Sequence, residues 1–219
     1  MSTVFQPFGM KPSFHPSGLD RSVPFAGTNS FVAGVSGYSA PYVLASGAFY
    51  QYTPVSINSS GQLIIATTDT TKPVYGVFDG VEYTTAEGNR TVGKAITSAS
   101  LAAASDIVFW IFQDPIIVYE IQCAGSVAAS DIGSQYLFSA VSGNTTADGY
   151  IIGNGGAGFS TTALAAAPVS SAAQGQVRVV GLGREVAFPS QSLNAWGDAY
   201  TIVQVQIANN TFLAPRVSV

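Results

Sequence analysis

Charge is what this chain has least of. Eight Lys and Arg and 12 Asp and Glu in 219 residues leave only 9% of positions charged, against about 25% in an ordinary soluble domain. A freely dissolved monomer relies on surface charge for colloidal solubility, so this scarcity points to a surface largely covered by protein. What charge there is sums to −4. That leaves no basic field to release counterions from a phosphate backbone, and no nucleic-acid partner is expected.

Histidine and cysteine are rarer still, with one of each, His15 and Cys123. A lone cysteine excludes an internal disulfide, and its setting in Ile-Gln-Cys-Ala reads as a small buried thiol in a strand. Acid–base and metal chemistry draw on His, Cys, Asp, Glu and Lys, so the expectation is no catalytic residue, no cofactor-binding residue and no metal ligand. A Ser-His-Asp relay would have to use His15, which stands between Phe14 and Pro16 and not on a rigid scaffold. Asp79, Glu82 and Glu87 are grouped in sequence but lack the Asp-x-Asp-x-Asp-Gly pattern of a calcium loop. They read as a solvated turn or as an interface salt bridge with Arg90 or Lys94. Gly153 to Gly158 has G-x-G-x-x-G spacing after Tyr150-Ile-Ile. Phe159-Ser-Thr-Thr follows instead of a helix, and the acid expected about 20 residues on is missing. A tight glycine turn is the reading there.

Long apolar runs are also lacking. The strongest, at 107–112 and 116–119, fall far short of the about 20 residues that span a bilayer as a helix, and no membrane partner is expected. The opening Met-Ser-Thr-Val-Phe-Gln-Pro-Phe-Gly-Met has neither the basic start nor the apolar stretch of a signal peptide. Synthesis and assembly in the cytoplasm are expected.

Two kinds of sequence are present. In residues 1–45, Pro7, Pro12, Pro16, Pro24 and Pro41 interleave with Phe5, Phe8, Phe14, Phe25 and Phe31, with no helical or strand period. This is read as an extended N-terminal arm. Disordered tails are poor in aromatics and rich in charge, so an arm anchored by phenylalanines orders against something, either its own domain or a neighbouring subunit. The core is assigned to 46–219. There, short segments of β-branched and aromatic residues at 49–57, 62–67, 74–83, 90–97, 107–112, 116–122, 135–138, 176–181 and 199–207 are separated by Gly, Asn, Asp and Ser. Such spacing predicts an all-β protein, a compact antiparallel barrel or sandwich. Alternation in 118–122 and 201–207 gives each strand one buried and one wet face. Hairpin turns are expected at 58–61, 88–89 and 142–144. The Ala-rich pieces 99–105 and 163–173 are read as loops. Trp110, in an apolar strand, is read as core, and Trp196, in a turn, as an interface anchor or an edge plug.

Several motifs, in order, carry a resemblance: Gly-Met-Lys-Pro at 9–12 with His-Pro-Ser-Gly at 15–18, Tyr-Gln-Tyr-Thr-Pro-Val at 50–55, and Val-Phe-Asp-Gly-Val-Glu-Tyr at 77–83. They continue with Asp114-Pro115 before Val-Tyr-Glu-Ile-Gln at 118–122, Ala-Ser-Asp-Ile-Gly at 129–133, Val-Arg-Val-Val-Gly-Leu at 177–182 and Gly-Asp-Ala-Tyr-Thr at 197–201. The chain resembles head decoration, or capsid cement, proteins of tailed bacteriophages. The resemblance implies a structural virion protein on the outer surface of the capsid that clamps neighbouring capsomers. Its partners would be the major capsid protein and further copies of itself, as a homotrimer or else a dimer. Interface candidates are Phe5, Phe8, Met10, Phe14, His15 and Phe25 in the arm, with Trp196 in the core. Cementing needs no catalytic group and gains from avidity over a lattice. The alternatives are a main shell subunit, a tail or fibre protein, and a glycan-binding β module attached to a particle.

Overall fold

The computed structural model describes residues 5, 7–18, 21–25, 48–66, 68, 72–140, 160–184, 186–187 and 192–213. The chain is all-β, and every pair of named strands is antiparallel. Strand β1 (Lys11–Phe14) lies at one edge of a five-stranded sheet, followed by β10 (Val118–Gln122), β17 (Ile202–Ile207), β14 (Val177–Leu182) and β11 (Gln135–Tyr136). A second sheet runs β2 (Val23–Pro24), β9 (Ser105–Phe112), β6 (Gly76–Thr84), β4 (Pro54–Ile57) and β5 (Leu63–Ile65), with β7 (Arg90–Gly93) also paired to β6. Two-stranded pieces pair β3 (Ala48–Tyr50) with β8 (Ala95–Thr97), β12 (Phe138–Ala140) with β13 (Ala163–Leu164), and β15 (Val186–Ala187) with β16 (Ser192–Leu193).

The second sheet is the middle layer of the sandwich, because its two faces feed two different cores. Val77 and Phe112, opposite each other, join a first cluster with Tyr119, Ile121, Val177, Val203 and Val205 of the five-stranded sheet. Phe78 and Ile111, the next pair along, point the other way. They join a second cluster with Phe49 of β3, Ile96 of β8 and Leu101. Period-2 alternation alone produces this split. A bulge at Asp79 then shifts the register between Phe78 and Gly80, and the extra residue puts Phe78 and Val81 in the same cluster although they are three apart.

Three segments expected as single strands are each divided between pairings. The 49–57 segment bends at Tyr52, whose φ is 69°, so β3 pairs with β8 while β4 joins the middle sheet. Pro54 heads β4, where no ladder donor is lost. The 90–97 segment divides after Gly93, sending β7 to β6 and β8 to β3. The 135–138 segment divides after Tyr136 into β11 and β12. Strands that turn a corner between layers are the usual way packed sheets are joined.

The loop expected at 99–105 is corrected to a helix, α1 (Ser98–Ala103). Thr97 caps it by accepting the Ser100 amide on its hydroxyl at 3.1 Å, and Leu101 is buried in the second cluster. A side-chain cap and one apolar anchor are enough to hold a run of small residues helical. The 163–173 piece begins as strand β13 and continues without regular structure. The hairpin turns at 58–61 and 88–89 join β4 to β5 and β6 to β7. The turn at 142–144 and the glycine loop at 153–158 lie outside the described residues.

Within 1–45, β1 pairs with β10 and β2 with β9. Lys11–Phe14 and Val23–Pro24 therefore join the two large sheets of their own chain. Residues 26–47 lie outside the described residues.

Candidate interaction surface

The interface candidates from the sequence fall into three surface sets and an interior one. Met10 is fully buried in the first cluster, with its amide donating to the Tyr52 carbonyl at 2.9 Å, so its side chain serves the protein's own core. Phe8 is half-buried beside it in sequence. Gly9 makes this docking possible: its φ is +77°, and a Cβ there would stand 2.5 Å from the Tyr52 carbonyl oxygen and 2.7 Å from Ser160 Cβ.

The first surface set is at the end of β1. Phe14, opposite Val118 across the ladder, is 43% exposed. Ile116, in the turn that carries the chain from β9 to β10, is 50% exposed. His15 ties the two segments together. Its Nδ1 accepts the Ser17 amide at 2.9 Å, and its Nε2 lies 3.3 Å from Asp114 Oδ2. Asp114 in turn accepts the Ile116 amide on Oδ1 at 2.8 Å. With Nδ1 occupied as an acceptor, the neutral ring carries its proton on Nε2, which is buried beside the carboxylate but makes no hydrogen bond to it.

The second set surrounds the 195–200 turn. Phe5, 43% exposed, packs its ring 5.3 Å from that of Tyr200. Trp196 is half-buried against the first cluster. Its turn is held by the Asp198 carboxylate, which accepts the Ala195 amide at 3.0 Å, and by Thr201, whose hydroxyl donates to the Asp198 carbonyl. Nearby, Asn194 takes the Ile202 amide on Oδ1 and donates from Nδ2 to the Gly183 and Ile202 carbonyls.

The third set is an aromatic row. Phe25 meets Tyr75 edge-on at 5.4 Å, and Tyr75 meets Phe212 at 5.4 Å. Burial pushes the Tyr75 phenol up from its ordinary value, and its hydroxyl donates to Gln113 Oε1 at 2.7 Å. Phe212 and Leu213 are 59% and 51% exposed.

Three features escaped the sequence reading. Trp110, expected in the core, is half-buried and belongs to neither cluster. Its strand alternates, with Ile107, Phe109 and Ile111 taking the core side. Ile116 and Phe212 were also missed, although each follows a turn former, Pro115 and the Asn209-Asn210-Thr211 run, where an apolar side chain has nowhere to fold back. The acidic group resolves into local partners. Glu82 pairs with Arg90 at 2.9 Å, and Asp79 accepts Ser22 Oγ at 2.7 Å and Gln51 Nε2 at 3.0 Å. Glu87 is fully exposed, with its carboxyl held below the ordinary value first by the Thr85 hydroxyl. Among the described residues no group of three His, Cys, Asp or Glu side chains is placed to hold a metal ion, and no helix is long and apolar enough to cross a membrane.

No family model, no curated protein and no solved structure matches this chain.

Proposed function

We propose that this protein is a structural component of a tailed-phage virion that binds the outer surface of the capsid and cements neighbouring capsomers. The observation that supports it most is the combination of 9% charge with large apolar side chains left in water. Phe5, Phe14, Ile116, Phe212 and Leu213 are each more than two-fifths exposed. Phe5 packs on Tyr200 and Phe212 on Tyr75, so part of this exposed apolar surface is organised in aromatic contacts and not in single side chains. The body behind them is rigid, with two buried clusters and strands tied edge to edge. A cement needs this combination: a stiff support and apolar contacts whose modest individual strength is multiplied over a lattice.

On this reading the partners are the major capsid protein and other copies of the chain, with Phe14 and Ile116 as the first contacts to test. Replacing both by Glu adds charge to the edge of a folded sheet without touching either core. The double variant keeps the wild-type circular dichroism spectrum and loses at least tenfold in affinity for undecorated expanded heads, a loss of about 1.4 kcal/mol or more. Unchanged occupancy on heads would remove this edge from the footprint.

A further inference from the structure

The chain leaves β1 through the tight turn His15-Pro16-Ser17-Gly18. The His15 carbonyl accepts the Gly18 amide at 2.9 Å, and Gly18 takes a φ of 69°, a left-handed backbone that glycine enters without strain. Pro16, Ser17 and Gly18 are exposed, while the side chain of His15 is only 3% exposed. A buried imidazole therefore lies against an exposed turn.

Its two nitrogens are placed in a way that suits one protonation state only. Nδ1 accepts the Ser17 amide at 2.9 Å, so it carries no proton. Nε2 stands 3.3 Å from Asp114 Oδ2, buried and without a hydrogen bond. A proton added to Nδ1 sets two donors against each other, the ring N–H and the Ser17 N–H, and turns the contact at Nε2 into an ion pair. The Ser17 bond and the second proton exclude each other. Among the described residues Asp114, from the turn between β9 and β10, is the ring's salt-bridge partner, and the Ile116 amide holds its Oδ1 at 2.8 Å. On β1 itself the charged residue is Lys11, opposite Glu120 at the other end of the strand. The Tyr119 phenol feels the Asp114 carboxylate, but burial, with Asp114 adding to it, pushes that phenol far above its ordinary value, so it stays neutral in acid.

We propose that His15 is an acid-operated latch on this turn. Neutral, it closes the turn through Ser17; protonated, it gives up that bond, pairs with Asp114 and lets the turn open. Opening also lets water reach the buried imidazolium, so solvation of the new charge and loss of the Ser17 bond act in the same direction. Strand β1 stays in place, because its ladder to β10 and the burial of Met10 use none of these groups. Histidine protonation biasing one local two-state element is how pH sensors work. Because His15 follows Phe14 and contacts the turn that carries Ile116, acid reshapes the edge on which both side chains are exposed. The latch is a property of the folded chain and does not depend on the capsid reading.

The test is the protection of the Ser17 amide against hydrogen exchange, corrected for the intrinsic rate, from about pH 8 to about pH 5, on either side of the ordinary imidazole range. The His15 Cε1–H resonance reports ring protonation in the same samples. Ser17 protection falls about tenfold or more in step with that resonance, while the β10 amides keep theirs. His15→Asn is the control: its side-chain oxygen takes the Ser17 amide in place of Nδ1 and does not titrate, so protection stays level with pH. Asp114→Asn removes the ion pair and moves the midpoint to lower pH. A Ser17 amide that stays protected while the ring is protonated overturns the proposal, and so does a ring that takes up no proton in this range. A loss of protection that His15→Asn shows equally, or a midpoint that Asp114→Asn leaves in place, overturns it too.

Discussion

At the residue scale, buried polar groups are held by specific partners, and this makes their removal costly. Tyr119 is fully buried in the first cluster and donates its hydroxyl to the Phe112 carbonyl at 3.2 Å. Burial, with the Asp114 carboxylate adding to it, pushes its phenol far above the ordinary value, and Tyr136 is pushed up in the same way by burial and by Asp131. Both phenols stay protonated in the folded protein at a pH where an unfolded chain has begun to lose its protons. Their titration therefore leaves stability unchanged below pH about 10 and lowers it as pH rises above that. Tyr119→Phe flattens that alkaline decline in urea titrations while costing about 1 kcal/mol at neutral pH. An alkaline limb as steep as in the wild type would contradict the assignment. Asp79→Ala strips the acceptor from Ser22 and from the buried Gln51 amide. It is expected to lower stability by about 1–3 kcal/mol in the same titration.

At the scale of elements, the strand periods and turn residues were legible because each depends on near neighbours. The alternation of Val203 to Ile207 and the Asn58–Gly61 turn, where Asn58 Oδ1 accepts the Ser60 and Gln62 amides, are examples, whereas Val118–Gln122, expected to wet one face, is buried on both, with Glu120 accepting from Ser13, Arg184 and Gln204. The corners were not legible. Nothing in Tyr-Gln-Tyr-Thr says that Tyr52 takes φ 69°, because that bend is imposed from other parts of the chain: the Tyr52 amide donates to the Phe78 carbonyl, the Met10 amide to the Tyr52 carbonyl and the Phe78 amide to the Thr53 carbonyl. Trp110 was misread for a related reason: 107–112 is apolar on both sides, and only the layer order decides that one end of its second face is covered and the other open. The pairing of β1 and β2 with their own chain was not legible either, because the sheet edges that receive them are set by distant strands. The Gly9 docking point tests how tightly that segment is held. Gly9→Ala forces a side chain into a left-handed backbone against Tyr52 and Ser160 and is expected to cost about 2 kcal/mol or more. Hydrogen exchange should show the β1 amides, and not those of β6, losing the most protection. Equal loss in both strands would mean that β1 and the core open together.

At the scale of the whole molecule, the three-layer body explains how so little charge is tolerated. Two apolar clusters and a network of side-chain to backbone bonds hold the fold, while the ionic contribution is slight: among the described residues one ion pair, Glu82 with Arg90, involves two permanently charged groups. High salt should therefore leave thermal stability nearly unchanged, since surface pairs contribute about 0–1 kcal/mol each. The exposed aromatics and the low net charge instead favour association, so light scattering of the purified protein is expected to give a discrete oligomer, a trimer or a dimer. The most direct test of the cementing role is the rupture temperature of undecorated expanded phage heads, measured by calorimetry with and without saturating protein. A cement raises that temperature by several degrees, and saturates at a fixed number of copies per shell. Heads that bind no protein, or that rupture at the same temperature when fully occupied, contradict it.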